Sequence, residues 1–162
     1  MREILIINTG GTFNKIYNRF NGELEVDSTN KALKTLEQEW LCSLNYINII
    51  NKDSLEFTQS DRELLSHTIY EAKEQKIVVI HGTDTIDISA KFIDEQNFQK
   101  AIVFTGAMVP FSINPIEASA NLSLALGFVK LANIGVYIAL NGVVDSYTKV
   151  VKNRAKGKFT LA

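Results

Sequence analysis

"ILIINTGGTFNK", residues 4–15, decides how the rest of the chain reads. Four apolar residues lead through Asn8 into Thr9, two consecutive glycines and a second threonine, Thr12. A run without polar alternation is the pattern of a strand covered on both faces. The paired glycines at its end let the backbone turn tightly and come close to a ligand or to another backbone. Thr9 or Thr12 is then left at the strand's tip with its hydroxyl in a crevice. On its own, such a glycine pair is an ordinary turn signal.

The same kind of run recurs at residues 46–50, 77–81, 101–105 and 134–140, which gives five central strands. Between them, residues 30–41, 61–74, 86–98 and 116–131 carry apolar side chains at three- and four-residue spacings and read as helices. The expected fold is α/β: three layers, an open and mostly parallel sheet flanked by helices. Ser60 with Glu63 fits a capping box for the second helix, and Ser28 or Thr29 fits a cap for the first. Residues 13–27 break the alternation, because "FNKIYN" and "GELEVD" flank a turn signal at Asn21-Gly22. A β-hairpin flap is therefore expected after the first strand.

Composition narrows the function classes. A chain of 162 residues with 46% hydrophobic and 22% charged residues fits one domain with a full core. There is no internal repeat, low-complexity tract or linker. A formal charge of -1 gives no reason to expect nucleic acid or an anionic membrane. Cys42 is the only cysteine, so no internal disulfide forms and a reducing compartment fits. The N-terminal residues lack the pattern of a signal peptide, and no window approaches the ~20 apolar residues of a membrane span. A cytoplasmic protein is expected. Two histidines and one cysteine are too few for a zinc centre, and His67 and His81 fit structural roles. The glycine-rich signatures of nucleotide binding are absent, so no cofactor is expected.

Polar clusters follow each strand. After Thr9 to Thr12 come Asp53-Ser54, "HGTDT" from His81 to Thr85, "TGAMVP" from Thr105 to Pro110, and "NGVVD" from Asn141 to Asp145. In an open α/β sheet, ligands bind outside the carboxyl ends of the strands, so these clusters converge on one pocket. A threonine hydroxyl becomes a useful nucleophile only with a neighbour that takes its proton. Thr83, Asp84 and a lysine, Lys149 or Lys152, are the remote candidates. Read singly, Asp84 and Thr85 would be helix caps. The lysines would belong to a solvated basic end, "KVVKNRAKGK".

"INTGGTF", followed by "VVIHGTDTIDISAKFI" and "IVFTGAMVP", resembles the bacterial-type L-asparaginases, whose N-terminal domain carries these motifs in this order. The resemblance covers essentially the whole chain. It implies hydrolysis of the side-chain amide of asparagine, and often glutamine, through a threonine nucleophile without metal or organic cofactor. By position, Thr12 matches the nucleophile. Thr83 and Asp84 match the second catalytic threonine and its acidic neighbour, and Lys152 matches the lysine that completes the set. Asp53 and Ser54 match the segment that binds the substrate's α-carboxylate. Gly11 and Gly82 lie in the two motifs, and Ala107 lies in the matching GAM turn. Tyr17 corresponds to the flap tyrosine, closer to Thr12 than is usual in the family.

Members of that family carry a second, smaller domain whose counterpart in the neighbouring subunit closes the pocket. The resemblance places "KFTLA" at the start of the connection to it. Two functions follow. One is a minimal amidohydrolase. The other is a non-catalytic small-ligand-binding module, or a subunit that needs a partner. A homodimer or higher homo-oligomer is expected, with the apolar stretch of residues 120–136 as a candidate surface, although core packing is its commoner meaning.

Overall fold

The computed structural model describes residues 3–162. In chain order the elements are β1 (Ile4–Gly10), β2 (Lys15–Tyr17), β3 (Leu24–Val26), α1 (Lys31–Glu39), β4 (Tyr46–Lys52), α2 (Gln59–Glu71) and β5 (Lys76–Ile80). They continue with α3 (Ile86–Asp94), β6 (Ala101–Thr105), α4 (Pro115–Leu131), β7 (Gly135–Leu140), β8 (Val143–Ser146), β9 (Val150–Asn153) and β10 (Lys158–Leu161). The main sheet has the order β4-β1-β5-β6-β7-β8. Its first five strands are parallel, and β8 closes one edge antiparallel to β7.

The unalternating apolar strands divide their side chains between two cores because successive residues point to opposite faces. Ile4, Ile6, Val78, Ile80 and Val103 pack with Leu33 and Leu36 of α1 and Leu122, Ala125 and Val129 of α4. Leu5, Ile7, Ile77, Val79 and Phe104 pack on the other face with Leu65 and Ile69 of α2 and Ile86, Ala90 and Ile93 of α3. Most of these side chains are fully buried, each worth about 2 kcal/mol relative to exposure. Leu122, Ala125, Leu126 and Val129 of the apolar stretch are thus core, whereas Leu131 and Ile134 at its far end are exposed.

Strand order reverses beside β1. The chain leaves β1 for β4 on one side, then returns past it to β5, β6 and β7 on the other. The gap between the carboxyl ends of β1 and β5 is the switch point, where such sheets bind ligands. The connections through α3 and α4 both step in the same direction, yet they run over opposite faces, so they have opposite hands. Parallel crossovers strongly prefer one hand. Here the exception carries the β6–α4 loop to the β1 side. Phe111 N–H donates to Phe13 O at 3.4 Å, Ser112 Oγ donates to Lys15 O at 2.7 Å, and the Phe13 and Phe111 rings stack.

Several local expectations change. The main sheet has six strands, and the basic C-terminal stretch is an ordered β9–β10 hairpin that buries Val150 and Phe159. The capping box of α2 is Thr58 with Asp61, not Ser60 with Glu63, and it starts the helix two residues earlier than expected. Asp27 supplies the N-terminal acceptors of α1, receiving Lys31 N–H at 2.8 Å and Thr29 N–H at 3.1 Å. Neither Ser28 nor Thr29 serves as that cap. The expected hairpin forms as β2–β3, but its loop spans residues 18–23, and only Gly22 there has positive φ. Helix α1 ends on exposed Leu41 in the left-handed region, with Cys42 half-buried beyond it.

Candidate active site

Backbones meet without side chains between them at the switch point. A Cβ on Gly10 would lie 2.7 Å from Lys52 N and O. One on Gly11 would lie 2.5 Å from Gly82 N, and one on Gly82 would lie 2.6 Å from Ser54 Oγ. A Cβ on Gly106 would overlap the His81 carbonyl. Gly11 also needs φ of +70°, which L side chains rarely adopt. The ends of β1, β4, β5 and β6 are thereby drawn together, and Thr12, Asp53, Thr83 and Ala107 each stand one position past a meeting residue. Gly11 N–H donates to Lys52 O at 2.9 Å, which fixes the β1 and β4 ends together.

The two threonines of the first motif are distinguished by their bonds. Thr9 is fully buried and donates to Ile80 O at 2.7 Å, so its hydroxyl holds β1 to β5. Thr12 opens a single 3-10 turn at residues 12–14, is half-buried, and has no hydrogen-bond partner on its hydroxyl among the described residues. That turn is pinned by amides. Asn8 and Asn14 exchange hydrogen bonds at 2.9 and 2.8 Å, Asn14 also donates to Gly10 O at 2.7 Å, and Asn8 donates to Asn30 at 2.7 Å. Sequence reading missed this network, because an asparagine at a strand end looks like turn chemistry.

Thr83, Asp84 and Lys152 come together. Lys152 Nζ donates to Thr83 Oγ1 at 2.9 Å and to Asp84 Oδ1 at 2.8 Å, although these residues lie 69 and 68 positions away in sequence. Thr83 Oγ1 donates in turn to Met108 Sδ at 3.3 Å. Lys149, the other candidate, is exposed and sits 3.5 Å from Asp145. The register of β9 in its hairpin, with Lys152 opposite Phe159, places Lys152 on the site side. Arg154 adds a second cation, donating to Asp84 Oδ1 at 2.9 Å. Hydrogen bonds from Lys152 and then Arg154 hold the Asp84 carboxyl below its ordinary range. Arg154 was hidden in a stretch that reads as a solvated tail. A cavity of about 420 Å³ opens beside this group, lined by Thr83, Asp84, Tyr147, Val150, Lys152 and Phe159.

The capping explanation for Asp84 and Thr85 does not hold. Thr85 stands at the N-cap of α3 without a side-chain capping bond, and its hydroxyl donates to Ser54 O at 2.8 Å. Ser54 is buried, and Asp53 is paired with Lys15 at 2.6 Å. Burial pushes the Asp53 carboxyl up, but bonds from Lys15 and from Leu55 N–H outweigh it and leave it below the ordinary value. Ala107 is fully buried in the turn after β6. His81 is fully buried between Phe57 and Phe104, and its Nδ1 donates to Gly82 O at 2.7 Å. Its Nε2 has no partner among the described residues. Burial pushes its pKa down to about 4. His67 is exposed on α2, so only His81 fits a structural role. Tyr17 is 62% exposed on β2, with its hydroxyl beside Gly22 of its own hairpin and no hydrogen bond among the described residues.

An open α/β domain with hydroxyls, a carboxylate and a lysine gathered at its switch point is the class that fold and site define. The chain belongs to the asparaginase family: residues 3–161 match the family described as "Asparaginase, N-terminal". It is 27% identical over 161 residues to an L-asparaginase of Thermococcus kodakarensis, a match covering 96% of this chain and 49% of that protein. The structure of the thermostable T. kodakarensis L-asparaginase superposes with a TM-score of 0.83 at 25% identity, covering 98% of this chain and 50% of that one. A probable cytoplasmic L-asparaginase from Campylobacter jejuni gives 0.74 at 26% identity, over 92% of this chain and 49% of its own. L-asparaginase I from Vibrio cholerae, at 22% identity and a TM-score of 0.77 over 98% of this chain and 50% of that one, shares the fold. The chain spans about half the length of the relatives it matches. Among the described residues, no helix is long and apolar enough to cross a membrane.

Proposed function

We propose that this chain is a single asparaginase N-terminal-like domain carrying an amidohydrolase site. It cleaves the side-chain amide of L-asparagine, of glutamine or of another small amide of that type, without metal or organic cofactor. The observation that supports this reading is the Lys152 amine, 2.9 Å from Thr83 Oγ1 and 2.8 Å from Asp84 Oδ1, with Gly11, next to Thr12, packed against Gly82, next to Thr83. A binding module needs a carboxylate pocket and gains nothing from this set.

Thr12 Oγ1 attacks the amide carbon, its proton passes to the amide nitrogen, and the C–N bond breaks to release ammonia and leave an acyl ester on Thr12. A water near Thr83 then hydrolyses the ester, restoring the hydroxyl and forming the product carboxylate. As an ammonium, Lys152 only donates; in the neutral form it accepts the Thr83 proton, while Asp84 keeps it oriented. Asp53 and Ser54 serve substrate recognition, Gly11 and Gly82 admit it, Ala107 backs it, and Tyr17 covers it if its hairpin swings in. An ammonia-release assay on small amides, run beside Thr12→Ala, tests the reading. Loss of turnover with an unchanged fold is expected, and full activity in the variant would refute the nucleophile.

One observation favours a second reading. The Thr12 hydroxyl has no acceptor of its own among the described residues, which suits a site completed by another copy or a partner chain. Ammonia release that rises steeply with protein concentration, or that begins only when a second subunit is added, distinguishes it.

A further inference from the structure

We propose that Glu117, on α4, is a positioning residue for the Thr83–Lys152 pair: through Met108 it sets the Thr83 hydroxyl, and through Asn141 it sets the hairpin that carries Lys152. This deepens the amidohydrolase reading and rests on it for the reaction, but not for the geometry.

Two arms leave one carboxylate. Glu117 stands half-buried in the first turn of α4, where Oε1 accepts the Met108 N–H at 3.0 Å and Oε2 the Val109 N–H at 2.9 Å. A charged acceptor holds such amides about twice as strongly as a neutral one, so this side chain grips the turn after β6. That turn delivers Met108 Sδ to the Thr83 hydroxyl, which donates to it at 3.3 Å. A thioether accepts weakly. The hydroxyl is thereby oriented, with its proton on a partner that releases it easily and its oxygen accepting from the Lys152 amine at 2.9 Å.

The second arm runs through Asn141, which follows β7 at a φ of +53°. Its Nδ2 donates to Glu117 Oε1 at 3.3 Å, and its Oδ1 accepts the Phe159 N–H of β10 at 2.9 Å. Phe159 is the register partner of Lys152 in the β9–β10 hairpin. Buried Asn121, one turn further along α4, ties the arms together: it donates to Gly106 O at 2.9 Å and accepts the Asn141 N–H at 2.9 Å. Both arms end on one atom, Thr83 Oγ1. They hang from a helix whose Leu122, Ala125 and Val129 are locked in the core, so the distance between the two groups is set from outside the motif that contains Thr83. A displacement of about 1 Å at a reacting group can cost up to about a hundredfold in rate.

The test compares ammonia release from small amides, L-asparagine first, by the full chain and by Glu117→Gln, Asn141→Gly, Lys152→Met and the double variant of the last two. Glycine keeps the positive φ and the N–H bond to Asn121, so Asn141→Gly removes only the side-chain arm. Glu117→Gln and Asn141→Gly should each lower kcat roughly tenfold or more with KM within about twofold, as expected when only the reacting atoms are misplaced. Asn141→Gly should cost nothing further in the Lys152→Met background, because its effect passes through that amine. Should Glu117→Gln fail to fold, Asn141→Gly and the double variant decide alone. A readout without turnover comes from methyl-labelled methionine, of which the sequence has two. The signal that Met108→Leu abolishes belongs to Met108, and it should move in both Glu117→Gln and Thr83→Val. If no amide releases ammonia, the amidohydrolase reading fails while this signal still decides the positioning. Unchanged kcat in either variant, a loss carried by KM, an additive loss in the double variant, or a Met108 signal indifferent to Glu117→Gln would overturn the proposal.

Discussion

Acidification from pH 6.5 to 4 should destabilise this domain mainly through one side chain, His81. The imidazole is fully buried between two phenylalanine rings, and burial lowers its pKa from the ordinary 6.5 to about 4. The unfolded chain takes up the proton near 6.5, whereas the folded chain resists until about 4. Between those values the unfolded state holds more protons, and stability falls as pH falls. At about 1.4 kcal/mol per tenfold change in proton affinity, the loss across the window approaches about 3 kcal/mol, a large share of the roughly 5–15 kcal/mol that stabilises a typical domain. Asp27, Asp53, Asp61 and Asp84 are held below their ordinary 3.8, and the exposed Glu25 below its ordinary 4.5, so their contributions disappear near and beneath those values, at the foot of the His81 window. Urea unfolding at several pH values between 7 and 4.2 measures the effect. The same series on His81→Gln should be nearly flat over this range, whatever its absolute stability. A flat wild-type series, or an equal slope in the variant, would show that the buried ring is not the cause.

Gly11→Ala should cost roughly 3 kcal/mol or more, because the new methyl must enter the Gly82 backbone at a φ that alanine resists. For a chain of this size that is a melting-temperature drop on the order of 10 °C, read by calorimetry; a drop of a degree or two would mean that the backbones are not in contact. Lys152→Met should leave the fold standing, since Arg154 still holds Asp84, yet lower turnover by about a hundredfold or more. Retained ammonia release in that variant would remove Lys152 from the proton path.

The layers of the fold were legible because parallel strands buried on both faces cannot hide their composition: "KIVVI" in β5 has no solvent face to encode. That Thr12 and Thr83 stand at one edge of the sheet was legible for a related reason, as each follows a strand whose carboxyl end can only be in one place, whereas Lys152 sits inside β9 and was separated from Lys149 only by the family resemblance. Short elements were not. Strands β8 and β9 contribute two-residue apolar pairs, Val143-Val144 and Val150-Val151, too brief for any periodicity. What orders β9 and β10 is the burial of Val150 and of distant Phe159. The Thr58–Asp61 box escaped because Asp performs the role usually read from Glu at that position. Ion pairing was also invisible, since Lys15 and Asp53 lie 38 positions apart and neither belongs to a periodic pattern. The opposite hand of the α4 connection depends on which face a helix covers, and a nearly all-apolar helix does not announce its face.

That reversed connection gives the chain a timing. The turn bearing Thr12 forms near the start of the polypeptide, but the clasps from Phe111 and Ser112 reach it only after the chain has wrapped to the far side of the sheet. Lys152 arrives later still. A nascent polypeptide would thus possess the Thr12 hydroxyl before its scaffold. A protease nicking the strap between β6 and α4 would slacken the same hydroxyl while leaving the sheet zipped. On the proposed reading, the set around Thr83 is complete only once the β9–β10 hairpin has folded against α3.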